Sequence, residues 1–255
     1  MKEPSLTLTV YFNVLWIVSN ISEYKYFMNS DLLTATNLSK SVTLGERRID
    51  IIKNANLSIE AGDCVMLMGK SGSGKSTLLG LLAGLDYPDS GEVWLDGKNL
   101  TELDEETLAK LRQTDMGFVF QSFHLLPTLT VAENIAFPLD IARKPDNGRV
   151  EALIQAVGLE HRADSLPLQL SGGEQQRTAI ARALVARPKI IFADEPTGNL
   201  DEQNARQVMN LLLDLQQQSG TTLVVVTHDP SLTTHADKVI EVVDGVVSDS
   251  VVSKN

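Results

Sequence analysis

Cysteine is almost absent from this chain. Cys64 is the only one in 255 residues, which excludes an internal disulfide framework and fits a reducing compartment. It opens the apolar run CVMLM, so it reads as a buried structural thiol. Positive charge is also scarce. The 22 Lys and Arg stand against 33 Asp and Glu, for a net charge of −11, and no dense basic run occurs. Such a balance repels polyphosphate backbones, so no nucleic-acid partner is expected. Nor is there a long unbroken hydrophobic run. LTLTVYFNVLWIVSNI (residues 6–21) comes nearest, but Thr, Asn and Ser interrupt it, and it is too short and too polar for a membrane span. A secretory leader would want a positive start and a small-residue cleavage site, whereas Lys2 is followed by Glu3. Residues 1–27 are therefore expected to be an upstream extension outside the native protein, with Met28 starting a domain over 28–255.

What is present is a repeating pattern of short apolar runs. CVMLM (64–68), KIIFA (189–193) and TLVVVT (222–227) suit strands buried on both faces of a mostly parallel sheet. Helical patterns follow: STLLGLLAGL (76–85) after the first, NARQVMNLLLDLQQQ (204–218) after the second. This alternation argues an α/β fold. Two Asp-Gly pairs, in VWLDGKNL (93–100) and VIEVVDGVV (239–247), predict antiparallel β-hairpins at the edge. Residues 120–187 show helical patterns and loops, and read as a helical subdomain inserted in the α/β core.

GKSGSGKST spans Gly69, Lys70, Ser71, Gly72, Ser73, Gly74, Lys75, Ser76 and Thr77, and satisfies G-x-x-x-x-G-K-[ST] between a strand and a helix. Glycines let backbone N–H groups turn inward around phosphate oxygens, and the helix adds its positive end. Lys75 is expected to neutralise β/γ-phosphates, and Ser76 to ligate Mg²⁺. The bland alternative is a Gly/Ser loop that merely turns; the flanking elements weigh against it. A neighbouring strand must then supply a carboxylate for the metal. Asp194, ending KIIFAD, is placed for it, and Glu195 beside it is the candidate base for an attacking water. Here the alternative is a pair that only caps a helix.

A second glycine stretch, LSGGEQQR (170–177), has no Gly-Lys-Ser. Ser171 and Glu174 fit a capping box ahead of a helix, which accounts for part of it. A capping box does not need Gly172 and Gly173, however. Two glycines in a first turn leave amide hydrogens bare for an anion from elsewhere. In order, the phosphate loop, LSGGE, IIFADE, NLD (199–201) and His228 in TLVVVTHD resemble the motifs of ABC-type ATPase subunits over roughly residues 31–250. That resemblance implies a P-loop NTPase (RecA-like) core, ATP and Mg²⁺ as cofactors, and a head-to-tail homodimer formed with ATP. In such a dimer, Ser171, Gly172 and Gly173 of one copy would close over ATP on the other's phosphate loop. It further implies that Gln121 meets Mg²⁺ or water, that His228 contacts the γ-phosphate, and that Asn199, Leu200 and Asp201 cross the dimer interface. Where the family stacks an aromatic on adenine, this chain has Val42 in SKSVTLGE (39–46), so relaxed nucleotide affinity or base selectivity is expected.

GFVFQSFHLLPTLTVAENIAFPL (117–139) and FADEPTGNLD are similar to the lipoprotein-release and macrolide-export (LolD/MacB-like) branch. GERRIDIIKNANLSI and LLGLLAGLD are similar to its YbbA-type members. The resemblance implies a peripheral subunit on the cytoplasmic face of the inner membrane, serving a separate FtsX/MacB-like permease. Contact is expected near SFHLLPTLT (122–130), although its apolar residues equally suit packing of the helical subdomain. An ABC ATPase with a regulatory or scaffold role is the alternative. Between Lys75 and Ser171 there is no heptad run or cysteine pair, which disfavours chromosome-organising relatives.

Overall fold

The computed structural model describes residues 31–45 and 47–251. The expectation about residues 1–27 lies outside them. The two Asp-Gly pairs behave as their sequence requires. Asp96 and Gly97 have φ of 46° and 74°, and Asp244 and Gly245 have 50° and 80°. Left-handed values at both central positions make turns whose twist matches paired strands. The first joins β4 (Ser90–Leu95) to β5 (Lys98–Asn99), and the second joins β9 (Lys238–Val243) to β10 (Val246–Val251).

The main sheet has the order β10-β9-β3-β8-β7-β6, with β3 at Cys64–Met68, β6 at Met116–Phe120, β7 at Ile190–Asp194 and β8 at Thr222–Val226. All neighbours pair in parallel except the β9–β10 hairpin. Alternate side chains explain why these strands are almost wholly apolar. Val65, Leu67, Ile190, Phe192, Val224 and Val226 enter one hydrophobic core, while Met66, Ile191, Ala193, Leu223 and Val225 enter another. A strand with a core on each face cannot afford the polar alternation of a half-exposed one.

The first core is closed by α1 (Lys75–Leu82) and by a second sheet of order β2-β1-β4-β5, with β1 at Asp31–Leu44 and β2 at Arg47–Glu60. A hydrogen bond ties this sheet to the main one, Lys53 N donating to Gly245 O at 2.8 Å, and the approach is so close that a Cβ on Gly245 would stand 2.6 Å from Ile51 O. The second core is closed by α3 (Val131–Ala142), α4 (Arg149–Ala156), α5 (Gly172–Val185) and α6 (Glu202–Ser219). A further helix, α2 (Glu105–Asp115), precedes β6. From 121 to 189 the chain forms helices and 3₁₀ turns without a strand.

Candidate active site

Parallel strands end on the same edge of a sheet, and there the loops meet. Register makes this specific. Phe120 pairs with Asp194, Asp194 with Val226, and Val226 with Leu67, so one row crosses β6, β7, β8 and β3. Just beyond that row lie Gln121, Glu195, the Thr227–His228 pair and the phosphate loop. Four sequence motifs scattered over more than a hundred residues thus emerge side by side.

The phosphate loop is forced into shape by what surrounds it. Gly69, Gly72 and Gly74 have φ of 148°, 78° and 106°. A Cβ on Gly69 would stand 2.2 Å from Val242 O, and one on Gly74 would stand 2.8 Å from Ile51 O. Gly245 N donates to Ser73 O at 3.3 Å, fixing the loop against the β9–β10 turn. Within the cradle, buried Lys75 folds back and donates from Nζ to the carbonyls of Gly69 and Lys70, both at 2.9 Å. Ser73 Oγ is buried with no hydrogen-bond partner. A buried ammonium satisfied only by its own loop, and an orphaned hydroxyl beside it, suit an incoming anion.

Ser76 Oγ donates to Asp194 Oδ1 at 3.0 Å. Burial pushes the Asp194 carboxyl up, Ser76 partly opposes that, the adjacent Glu195 adds to it and Lys75 opposes it. A desolvated carboxylate beside a hydroxyl is a hard-oxygen pair of the kind a divalent cation takes. The residues therefore fit Mg²⁺, which when bound would neutralise phosphate charge. Glu195 sits at φ 44°, a left-handed conformation that costs a non-glycine residue about 1 kcal/mol. It is held there by Glu195 N donating to Val226 O (3.1 Å) and Gly198 N donating to Glu195 O (3.0 Å).

Gln121 and Asn199 bond reciprocally: Gln121 Nε2 donates to Asn199 Oδ1 (3.1 Å), and Asn199 Nδ2 donates to Gln121 O (3.0 Å). The NLD loop and the Gln121 loop are thus one unit. His228, exposed, lines a cavity of about 510 Å³ with Gly69, Lys70, Ser73 and the β9–β10 turn, so it shares the phosphate loop's space. Lys70, Ser71, Gly72 and Ser76 are open to solvent or nearly so, Thr77 is half-buried, and Val42 is exposed on β1.

At the second glycine stretch, the expected capping box forms. Ser171 Oγ accepts from Glu174 N (3.3 Å), and Glu174 Oε2 accepts from Ser171 N (2.7 Å). That backbone N–H, aided by the Ser171 hydroxyl and Arg162, lowers the Glu174 carboxyl to about 2. The glycines themselves have a second use. A Cβ on Gly172 would stand 3.1 Å from Leu200 Cδ2, and one on Gly173 would stand 3.0 Å from Asn204 Oδ1. Asn204 in turn donates to Asp201, the N-cap of α6, through N (3.0 Å) and Nδ2 (2.6 Å). So the signature turn, the NLD loop and the start of α6 pack together. Asn204, which no motif flagged, sits between them. Arg182 was likewise not singled out. It donates to the carbonyls of Phe123 (2.9 Å) and His124 (2.6 Å), which have φ of 60° and 48°. It thereby supports the strained stretch that follows Gln121.

The ABC transporter family profile matches residues 52–198. The chain belongs to the ABC transporter family. It is 48% identical over 219 residues to the uncharacterized ABC transporter ATP-binding protein YbbA of Escherichia coli K12, covering 84% of this chain and 96% of that one. The dimeric post-hydrolysis structure of the ATP-binding cassette MJ0796, bound to ADP and Pi, matches with a TM-score of 0.80 at 41% identity, over 88% of this chain and all of that one. CbiO1 of Clostridium perfringens, part of the CbiONQ ABC transporter complex, matches with a TM-score of 0.76 at 29% identity, over 86% and 88% of the two chains. The chain is an ABC ATPase with a P-loop NTPase fold, using ATP and Mg²⁺. Among the described residues no helix is long and apolar enough to cross a membrane.

Proposed function

We propose that this ATPase closes head-to-tail with a second copy around two Mg-ATP, and drives a separate FtsX/MacB-like permease from the cytoplasmic face of the inner membrane. The work done would be export, lipid or lipoprotein extraction, or mechanotransmission. The observation that carries the reading is the pairing row through Phe120, Asp194, Val226 and Leu67, which sets Gln121, Glu195, His228 and the phosphate loop on one edge. In this account Lys75, Ser73 and the loop amides hold the phosphates, with Ser76, Asp194 and Gln121 holding Mg²⁺. Glu195 takes the proton of the attacking water, and His228 contacts the γ-phosphate. Among the described residues no hydrogen bond joins Ser171, Gly172 or Gly173 to residues 69–77. The Ser171 N–H is taken by Glu174 Oε2, but the N–H groups of Gly172 and Gly173 precede the helix's own ladder and remain available to a γ-phosphate held by another copy.

For the permease, a groove of about 650 Å³ runs between α2, β6, α3 and α5, with Phe118, Phe120, Phe137, Pro138 and Ile141 among its lining residues. Ile141 and Leu85, also in its wall, are 57% and 49% exposed. Phe120 is both in this wall and in the catalytic row, and Arg182 lines the groove while holding Phe123 and His124. An apolar permease segment seated here would therefore press on the Gln121 loop directly. The groove's nearness to the Gln121 loop supports a contact beside the 122–130 stretch. That stretch is itself stitched inward by Asn134, whose side chain bonds Leu126, Leu129 and Thr130.

The test is affinity capture of Glu195→Gln from its own cell membranes with ATP present. Co-purification of a four-helix permease with a large periplasmic domain is the expected result. Recovery of the protein alone, or with a cytosolic partner, would contradict it. Light scattering should show a monomer without nucleotide and, for Glu195→Gln with ATP, a dimer.

A further inference from the structure

The chain is acidic, yet three cations gather where nothing in the ATPase reading needs them. A cavity of about 510 Å³ lies where the loop between α3 and α4 meets the end of α5, and its lining includes Lys144, Arg149 and Arg187. None of the three forms an ion pair among the described residues. The one acid in the wall is Asp146, and its Oδ1 is already engaged by Val150 N at 2.7 Å.

Arg149 is the centre of the arrangement. One end of its guanidinium is anchored, donating from Nη2 to Leu184 O at 3.1 Å. Its Nε–H is shielded from solvent and has no hydrogen-bond partner. A buried guanidinium N–H left unsatisfied is costly, and a charged one more so. Burial, and secondarily the charge of Arg187, lower the Arg149 pKa, so the two cations repel each other across the cavity. The backbone beside them turns through left-handed conformations. Asn147 and Arg187 have φ of 52° and 56°, and Gly148 has 75°. Three cations against a single carboxylate, with one guanidinium donor left unpaired, describe an anion site from the protein's side.

We propose that the pocket formed by Lys144, Arg149 and Arg187 binds a phosphate group, free or borne by a lipid headgroup, independently of the nucleotide site. A tetrahedral anion offers several oxygens to a guanidinium fork, an ammonium and a second guanidinium at once, which a single carboxylate does less well. Arg149 supplies the anchored donor, and Lys144 and Arg187, both exposed, close over it from the rim.

The experiment is a titration of the full protein with inorganic phosphate, followed by backbone amide NMR. Because the phosphate loop also takes phosphate, location is the readout. Saturable shifts at residues 146–149 and 187, separate from those at 69–77, are expected. In Arg187→Gln and in Lys144→Gln the affinity read at 146–149 should fall about fivefold each, while shifts at 69–77 persist and report a folded protein. Both variants sit at exposed positions, so folding is not at stake. Sedimentation with phosphatidylglycerol and with phosphatidylcholine vesicles distinguishes the sources. Binding to the former alone, lost in Arg187→Gln, assigns the site to a headgroup. Phosphate shifts without vesicle binding assign it to the free ion. Shifts confined to 69–77, or unchanged affinity in both variants, would overturn the proposal.

Discussion

The two glycine stretches look alike in sequence and differ in what makes them glycine. In the phosphate loop the reason is the chain's own backbone. At Gly69 and Gly74, positive φ together with carbonyl oxygens of Val242 and Ile51 within 3 Å of where a Cβ would lie leaves no room for another residue, while at Gly72 the space is open and positive φ alone favours glycine. In the signature turn neither Gly172 nor Gly173 has a positive φ, and their nearest neighbours are ends of side chains, Leu200 Cδ2 and Asn204 Oδ1. One loop is glycine because the fold demands it. The other tolerates more in the isolated chain than function would allow.

Four substitutions sharpen that contrast. Gly69→Ala should have the largest effect, destabilising the fold by about 3 kcal/mol through backbone strain and a clash with Val242 O. Chemical denaturation would read it, and nucleotide binding should be lost with it. Gly173→Ala should change stability by less than about 1 kcal/mol, since a helical Ala offsets the push on Asn204. Its ATPase rate should nevertheless fall on the order of a hundredfold, because the methyl group misplaces the approach to γ-phosphate. A folding defect as large as that of Gly69→Ala would erase the distinction between the two loops.

Glu174→Gln comes next, at about 1 kcal/mol of stability near pH 7, by weakening the capping box. The pH dependence has a definite sign. The folded carboxyl is lowered from 4.5 to about 2, so its stabilisation is present above 4.5 and is lost as pH falls towards 2. The gap between wild type and variant should close over that window; a gap constant with pH would contradict the role. Asp194→Asn should have the smallest effect on the fold and the opposite sign. Burial raises the Asp194 carboxyl, so its charge opposes folding at neutral pH and removing it should slightly raise the nucleotide-free Tm. ATP turnover should vanish in the same variant.

Much of this was legible in the sequence, for local reasons. Apolar runs marked β3, β7 and β8 because both faces of those strands are buried, and Asp-Gly pairs marked both hairpins because few residues adopt left-handed φ. The phosphate loop, Ser171–Glu174 and Asp194–Glu195 declared themselves through short spacings. What escaped depends on contacts far apart in sequence. MGFVF of β6 is short and contains a glycine, which is required because a Cβ would stand 2.6 Å from Ala183 O. In β2, RRIDIIKNANLSIE is mostly exposed up to Ile51, so nothing in its pattern announces that the Ile51 carbonyl walls both Gly74 and Gly245. Asn204 and Arg182 act on residues brought near only by folding, and the cation pocket joins Lys144 to Arg187 across α4 and α5.

The central claim is that the two glycine stretches serve one ATP from two copies of the chain. Mixing two separately inactive variants, Lys75→Ala and Ser171→Arg, tests it most directly. In a head-to-tail mixed dimer, the intact phosphate loop of the Ser171→Arg copy faces the intact signature of the Lys75→Ala copy. The account predicts that ATPase activity reappears on mixing, in proportion to the mixed dimer formed. If both variants are folded and the mixture stays as inactive as its parts, the two stretches do not complete one site between copies.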